Sequence, residues 1–202
     1  MNDRGAALIL VMLTAGLLAA LGVCLLLVTD TERRIAANAA YSVATAAAAD
    51  AALERALIDV RRSPAWSGIL AGGEQSRFLD ATRRPQLPAG GTLDLDAVTS
   101  DLQAETAAQG NLGANTPVWK LYASGRASAL APASTSTSAA YLVVWVADDP
   151  SDADGNASAD SNGMLTLRAE ARGPGGARRA VEATVDRTGS GAVNVISWRE
   201  VR

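Results

Sequence analysis

The chain has 202 residues, no histidine, one cysteine (Cys24) and a net charge of −3. These features exclude Ser-His-Asp and Cys-His catalysis and histidine-ligated zinc, and the scattered basic residues leave no nucleic-acid footprint. Because Cys24 lies inside an apolar segment, the rest of the chain can form no internal disulfide. Its stability must come from core burial, a bound ion or a partner.

A polar leader, Met1-Asn2-Asp3-Arg4, runs into Gly5. Residues 6–28 then form an uncharged apolar run in which Thr14 is the only clearly polar side chain. At about 1.5 Å per residue this run makes a helix roughly 35 Å long, enough for a hydrocarbon core of about 30 Å. A transmembrane helix is predicted. The rival reading is a secretory signal cut near Ala19 or Ala20. Such signals have apolar cores of about 7–15 residues, whereas this run is longer and passes without a loop into Thr29-Asp30-Thr31-Glu32-Arg33-Arg34. Arg4 on one side and Arg33 and Arg34 on the other do not favour an inward N-terminus by charge. A short leader before a large distal domain still makes that the simpler topology.

The helical pattern continues through residues 29–62. Ile35, Ala39, Ser42, Ala46, Ala49, Leu53, Leu57 and Val60 recur at steps of three or four and draw one face along a helix. Alanine, the best intrinsic helix former, dominates residues 36–56, and Pro64 ends the pattern. Small side chains along such a helix allow close packing on a sheet or on neighbouring subunits.

Residues 63–202 are enough for one modest head domain. Residues 65–115 are rich in glycine and proline, with a short helix expected at 94–108 carrying Leu95, Val98 and Leu102 on one face. Strands are expected at 118–125, 141–146, 164–172, 178–187 and 193–201, with a low-complexity loop at 131–138 and a turn at Gly173-Pro174-Gly175-Gly176. Residues 141–146 are the most hydrophobic and are expected to be central. In residues 164–172, Met164, Thr166, Arg168 and Glu170 alternate against Leu165, Leu167, Ala169 and Ala171. Trp66, Trp119, Trp145 and Trp198 sit among apolar neighbours and read as core or sheet-face residues. A long N-terminal helix packed on an antiparallel sheet is an α+β layout.

These residues resemble a family. The leader ending in Gly5, the membrane helix and its amphipathic continuation look like a type IV prepilin. More narrowly, Glu32-Arg33-Arg34-Ile35-Ala36-Ala37-Asn38, followed by Ala48-Ala49-Asp50-Ala51-Ala52-Leu53, is similar to the E-R-x-A-x-N and A-x-E-A-A-L pattern of PilX-type minor pilins. The resemblance covers about the first 60 residues; the remainder carries only the general pilin layout. It implies a division into leader (1–5), transmembrane helix (6–28), amphipathic continuation (29–62) and pilin-like head (63–202). It also implies cleavage by prepilin peptidase between Gly5 and Ala6, with Ala6 becoming the N-methylated first residue. Two positions depart from major pilins, which begin with phenylalanine and carry a glutamate at the fifth mature position. Here those residues are Ala6 and Leu10. An apolar Leu10 removes an intersubunit charge pair in lipid, as in PilX-type subunits and the K-type tip pseudopilin of type II secretion. The implied protein is a minor pilin or pseudopilin that assembles, primes or caps a filament.

Its implied partners are other pilins through the N-terminal helix, prepilin peptidase and the inner membrane, with no nucleic acid. The implied location is the inner membrane with a periplasmic head, then a pilus or pseudopilus. The alternative is a single-pass anchored extracytoplasmic binding or accessory protein. An enzyme is not expected. A carboxylate pair in the acidic loop at 148–163 could serve glycoside hydrolysis, but nothing in the sequence sets its spacing.

That loop is the second candidate site. Asp148, Asp149, Asp152, Asp154 and Asp160, with Asn156 and Asn162, place five carboxylates and two amides within 16 residues. They could supply hard oxygen ligands to Ca²⁺; the competing reading is a solvated turn of ordinary loop residues. The spacing is not that of an EF-hand: with Gly155 at the glycine position, Pro150 and Ser161 fall where acidic ligands belong. The expected ligands are Asp149, Asp152, Asp154, Asn156 and Asp160.

Overall fold

Helix α1 runs unbroken over Asp3–Arg62. The structure, a computed structural model, describes residues 3–110, 112–130, 139–189 and 191–201; the loop expected at 131–138 lies outside the described residues. The chain forms two compact units, Met1–Ala40 and Tyr41–Arg202.

In the first unit α1 is long and apolar enough to cross a membrane. Its large apolar side chains, among them Leu8, Leu13, Leu21 and Val28, are all exposed. The hydroxyls of Thr14, Thr29 and Thr31 donate to the carbonyls of Val11, Leu25 and Leu27. The Thr14 hydroxyl, the one clearly polar group in the apolar run, is thereby satisfied within the helix, as a lipid environment would demand.

In the second unit the core face of α1 begins at Thr45 and continues through Ala48, Ala49, Ala52, Leu53, Ala56, Leu57 and Val60. Of the face read from the sequence, Ala49, Leu53, Leu57 and Val60 are buried, whereas Ile35 and Ala39, in the first unit, are exposed. After Pro64 the carbonyls at the end of α1 need donors. The Trp66 indole N–H donates to Val60 O at 3.2 Å, and Arg187 donates to Ser63 O at 2.8 Å and Pro64 O at 3.0 Å. The Arg187 guanidinium also lies 4.3 Å from the Trp66 ring centre, within cation–π range.

Two further helices follow, α2 (Trp66–Leu70) and α3 (Leu95–Ala108), and then five strands: β1 (Lys120–Arg126), β2 (Tyr141–Asp148), β3 (Met164–Arg172), β4 (Arg178–Arg187) and β5 (Val193–Val201). They form one antiparallel sheet in the order β1-β2-β3-β4-β5. β2 is buried along its whole length, as its composition predicts, although the middle place belongs to β3. Alternation sends Leu142, Val144 and Val146 into the core shared with α1, and Tyr141, Val143, Trp145 and Ala147 into a second core with Leu95 and Leu102 of α3. The sheet is therefore covered on both faces, and the expected single helical layer becomes two.

This second layer changes the reading of β3. Thr166, Arg168 and Glu170 alternate like a solvent face, but all three are buried. Glu170 accepts from Arg172 Nε and Arg178 Nη2, each at 2.7 Å. Arg168 lies 3.5 Å from Glu105 of α3 and 3.9 Å from Glu182 of β4. Hydrogen bonds from Trp145 Nε1 to Thr99 and from Trp119 Nε1 to Thr106, both 2.8 Å, pin α3 in place.

Asp94 caps α3, accepting from the amides of Asp96 and Ala97. The Ala97 amide, Arg84 and the Asp96 amide hold its carboxyl below the usual range, against a smaller opposing effect of burial. A lowered folded value means a stabilisation present above the unfolded pKa and lost as pH falls through the folded one. Asp94→Ala is accordingly expected to lower the melting temperature at pH 7, with the gap to wild type closing as pH falls below about 4. Thermal scans across that range check it; a gap that is unchanged at low pH would contradict the charged cap.

Candidate functional site

Two regions carry the residues singled out in the sequence. In the first, Gly5, Ala6 and Leu10 lie in the opening turns of α1. A Cβ placed on Gly5 meets nothing within 4 Å, and Leu10 is exposed.

The second is the loop joining β2 to β3. Asp148, the last residue of β2, shares the face of Leu142, Val144 and Val146, because side chains alternate along a strand. That parity carries a carboxylate into the interior, and Asp148 is 0 % exposed. The side-chain amide of Asn115 donates to its Oδ2. Its Oδ1 is buried without a hydrogen-bond partner among the described residues. Burial pushes its pKa up to about 7, helped by the charges of Asp152, Asp149 and Asp160 and opposed by the Asp149 amide.

Beyond Asp148 the loop folds on its own carboxylates. Asp152, also 0 % exposed, accepts from the Asp154 amide on Oδ1 and from the Ser161 amide on Oδ2. Its Oδ1 also takes the Ser161 hydroxyl, and these bonds hold its pKa below the usual range against burial. Asp154 Oδ1 accepts from the Asn156 amide, and Asn156 Oδ1 from the Ser158 amide. Gly155, at φ +66°, takes the left-handed turn between them.

One carboxylate oxygen from each of Asp148, Asp152 and Asp154 lies within 4.8 Å of the other two. The structure thus brings together Asp152 and Asp154 of the expected ligands and adds Asp148. Asp149 and Asp160 are not in that group, and their carboxylates accept hydrogen bonds within the loop. Both oxygens of Asp149 accept from the Ser151 hydroxyl and the Asn162 amide. Asp160 Oδ1 accepts from the amides of Gly163 and Met164, and burial raises its pKa.

Two segments hold the loop from outside, residues 113–115 and Ser67 of α2. The Asn115 amide donates to Pro150 O at 3.3 Å, and the Asp160 amide to Ser67 Oγ at 3.1 Å. Gly113 has φ +154°, and a Cβ there would lie 2.1 Å from Pro150 O, so this close approach of two backbones requires glycine.

No family model, curated protein or solved structure matches this chain.

Proposed function

We propose that the protein is a minor pilin or pseudopilin, a structural and non-catalytic subunit of a type IV pilus-like filament, processed after Gly5. The observation that supports this reading is α1. One uninterrupted helix begins as an exposed apolar segment long enough for a bilayer and ends as the alanine-rich core helix of an α+β unit. An ordinary membrane anchor has no need to be continuous with the core of its soluble domain. In a filament subunit the same helix must hold the bilayer, the neighbouring subunits and the head.

Leu10 in place of a carboxylate supports a low-copy position near the tip. A repeating subunit would keep a charge pair at that depth of lipid, where an unpaired charge is costly. Before assembly the chain is held in the inner membrane with its head in the periplasm, where prepilin peptidase and other pilins are its partners.

The test is the mass of the N-terminal peptide from native membranes. A peptide beginning at Ala6 and heavier by one methyl group is expected. An intact Met1 would make the chain a simple anchored protein, and a start near residue 20 would make it secreted; either result overturns the proposal.

A further inference from the structure

We infer that Asp148, Asp152 and Asp154 bind one calcium ion, with the buried Oδ1 of Asp148 as the ligand around which the site is built. The inference is independent of the pilin reading, which rests on α1 and uses none of these carboxylates.

Three observations carry it. The first is spacing. Oxygens at 2.3–2.6 Å from a calcium ion stand at most about 5 Å apart, and the three carboxylates already converge within 4.8 Å.

The second is the state of Asp148. A buried carboxylate oxygen without a donor is costly, and native folds pair such groups. Both oxygens of Asp149 and of Asp152 receive donors, whereas Oδ1 of Asp148 receives none among the described residues. Asn115 holds Oδ2 and leaves Oδ1 free for a cation. The parity of β2 then places a charge where hydrophobic side chains precede it, an arrangement that a divalent ion offsets and water alone offsets poorly.

The third is ligand chemistry. All the donors are carboxylate oxygens, which suit hard cations and not zinc or copper. Magnesium gives up its water reluctantly, whereas calcium accepts irregular, carboxylate-rich shells. With Asp148 and Asp152 inaccessible to solvent, an ion here must shed water on two sides, and calcium does so more readily. Asp154, exposed at the rim, closes the third side.

Occupancy has a structural consequence. Asp148 is clamped by Asn115, and the loop is tied to Ser67 of α2. An ion drawing Asp152 and Asp154 onto Asp148 therefore fastens the whole 149–163 loop to the end of β2.

The experiment uses the full chain in detergent, stripped with a chelator and titrated with calcium chloride or magnesium chloride, with unfolding followed by tryptophan fluorescence. The wild-type melting temperature is expected to rise saturably, by about 5–10 °C at calcium near 100 times its dissociation constant, and to rise less with magnesium. Asp148→Asn preserves shape and removes a buried charge. It is expected to melt at or above the wild-type temperature without calcium and to lose the calcium response. Asp154→Asn, at an exposed position with little bearing on folding, is expected to raise the midpoint of the titration at least tenfold, whereas Asn156→Ala leaves it unchanged.

A wild-type melting temperature that is constant to millimolar calcium overturns the site. So does an Asp154→Asn chain that responds like wild type. Magnesium acting as strongly as calcium overturns the assignment of the ion. None of these results bears on the mass of the N-terminal peptide, so the site and the pilin reading fail separately.

Discussion

Trp66→Ala is expected to cost the second unit about 3–5 kcal/mol, the largest stability loss foreseen for a single side chain here. Trp66 is 1 % exposed and belongs to the main core with Leu57, Val60 and Ile69. Truncation leaves a cavity in the core just after α1 ends, and it removes the indole donor to Val60 O. The Arg187 guanidinium also loses its ring, while its bonds to Ser63 O and Pro64 O remain. Trp66→Phe separates the two effects: most of the volume stays, and only the donor and part of the cation–π attraction are lost. Trp198→Ala is the control, since Trp198 is 55 % exposed on β5 and surface substitutions move stability by about 0.5 kcal/mol or less. Urea unfolding followed by the fluorescence of the remaining tryptophans gives the comparison. A Trp66→Ala loss no greater than that of Trp198→Ala would mean that the end of α1 is held by Arg187 alone.

Those two tryptophans also mark how far the sequence could be read. Residues 6–28, the alanine-rich continuation and the five β patterns declare themselves through period and composition, and each emerges as an element. What period cannot convey is which face a neighbour will cover. Thr166-Arg168-Glu170 has the alternation of a half-exposed strand, because charged residues are normally solvated. The fold instead buries them and pairs Glu170 with Arg172 and Arg178, and Arg168 with Glu105 of α3 and Glu182. Arg172 lies two residues along β3, but the other partners come from α3 and β4 and are invisible in any local window. Residues 193–201 declare a strand but not its place: β5 is the sheet edge, and Ile196 and Trp198 are exposed. Ile35 and Ala39 continue the helical stripe by spacing alone and stay outside the core, because the packed face starts at Thr45.

The acidic loop shows the same limit at the scale of a site. Composition pointed to residues 148–163 and to Asp152 and Asp154 within them. The expected ligands include Asp149 and leave out Asp148. The signal that separates them is parity: Asp148 continues the series Leu142, Val144, Val146, and Asp149 does not. Counting by two from the middle of β2 would have marked Asp148 as the carboxylate forced inward. Asn115 could not have been found that way, because it reaches Asp148 across 33 positions of sequence.

The second large effect falls on maturation. Gly5→Leu is expected to leave the chain at its uncut mass and to abolish its incorporation into filaments, if the pilin reading holds. The substitution is informative because the fold offers no objection to it. Gly5 is exposed and helical, and a Cβ there meets no atom within 4 Å. Leucine is also the better helix former, by roughly 0.5–1 kcal/mol. The variant is therefore expected to insert and fold as well as wild type, and any block must arise where a protease reads the bond between Gly5 and Ala6. A side chain beside that bond crowds the scissile carbonyl, which glycine leaves open on both faces. Immunoblots of membrane and sheared-filament fractions, together with the intact mass of the membrane species, give the answer. Uncut Gly5→Leu protein in filaments, or a Gly5→Leu chain cut at the wild-type rate, would contradict processing at this glycine. Uncut protein confined to the membrane, with its urea unfolding unchanged, would place the defect in the leader and leave the head intact.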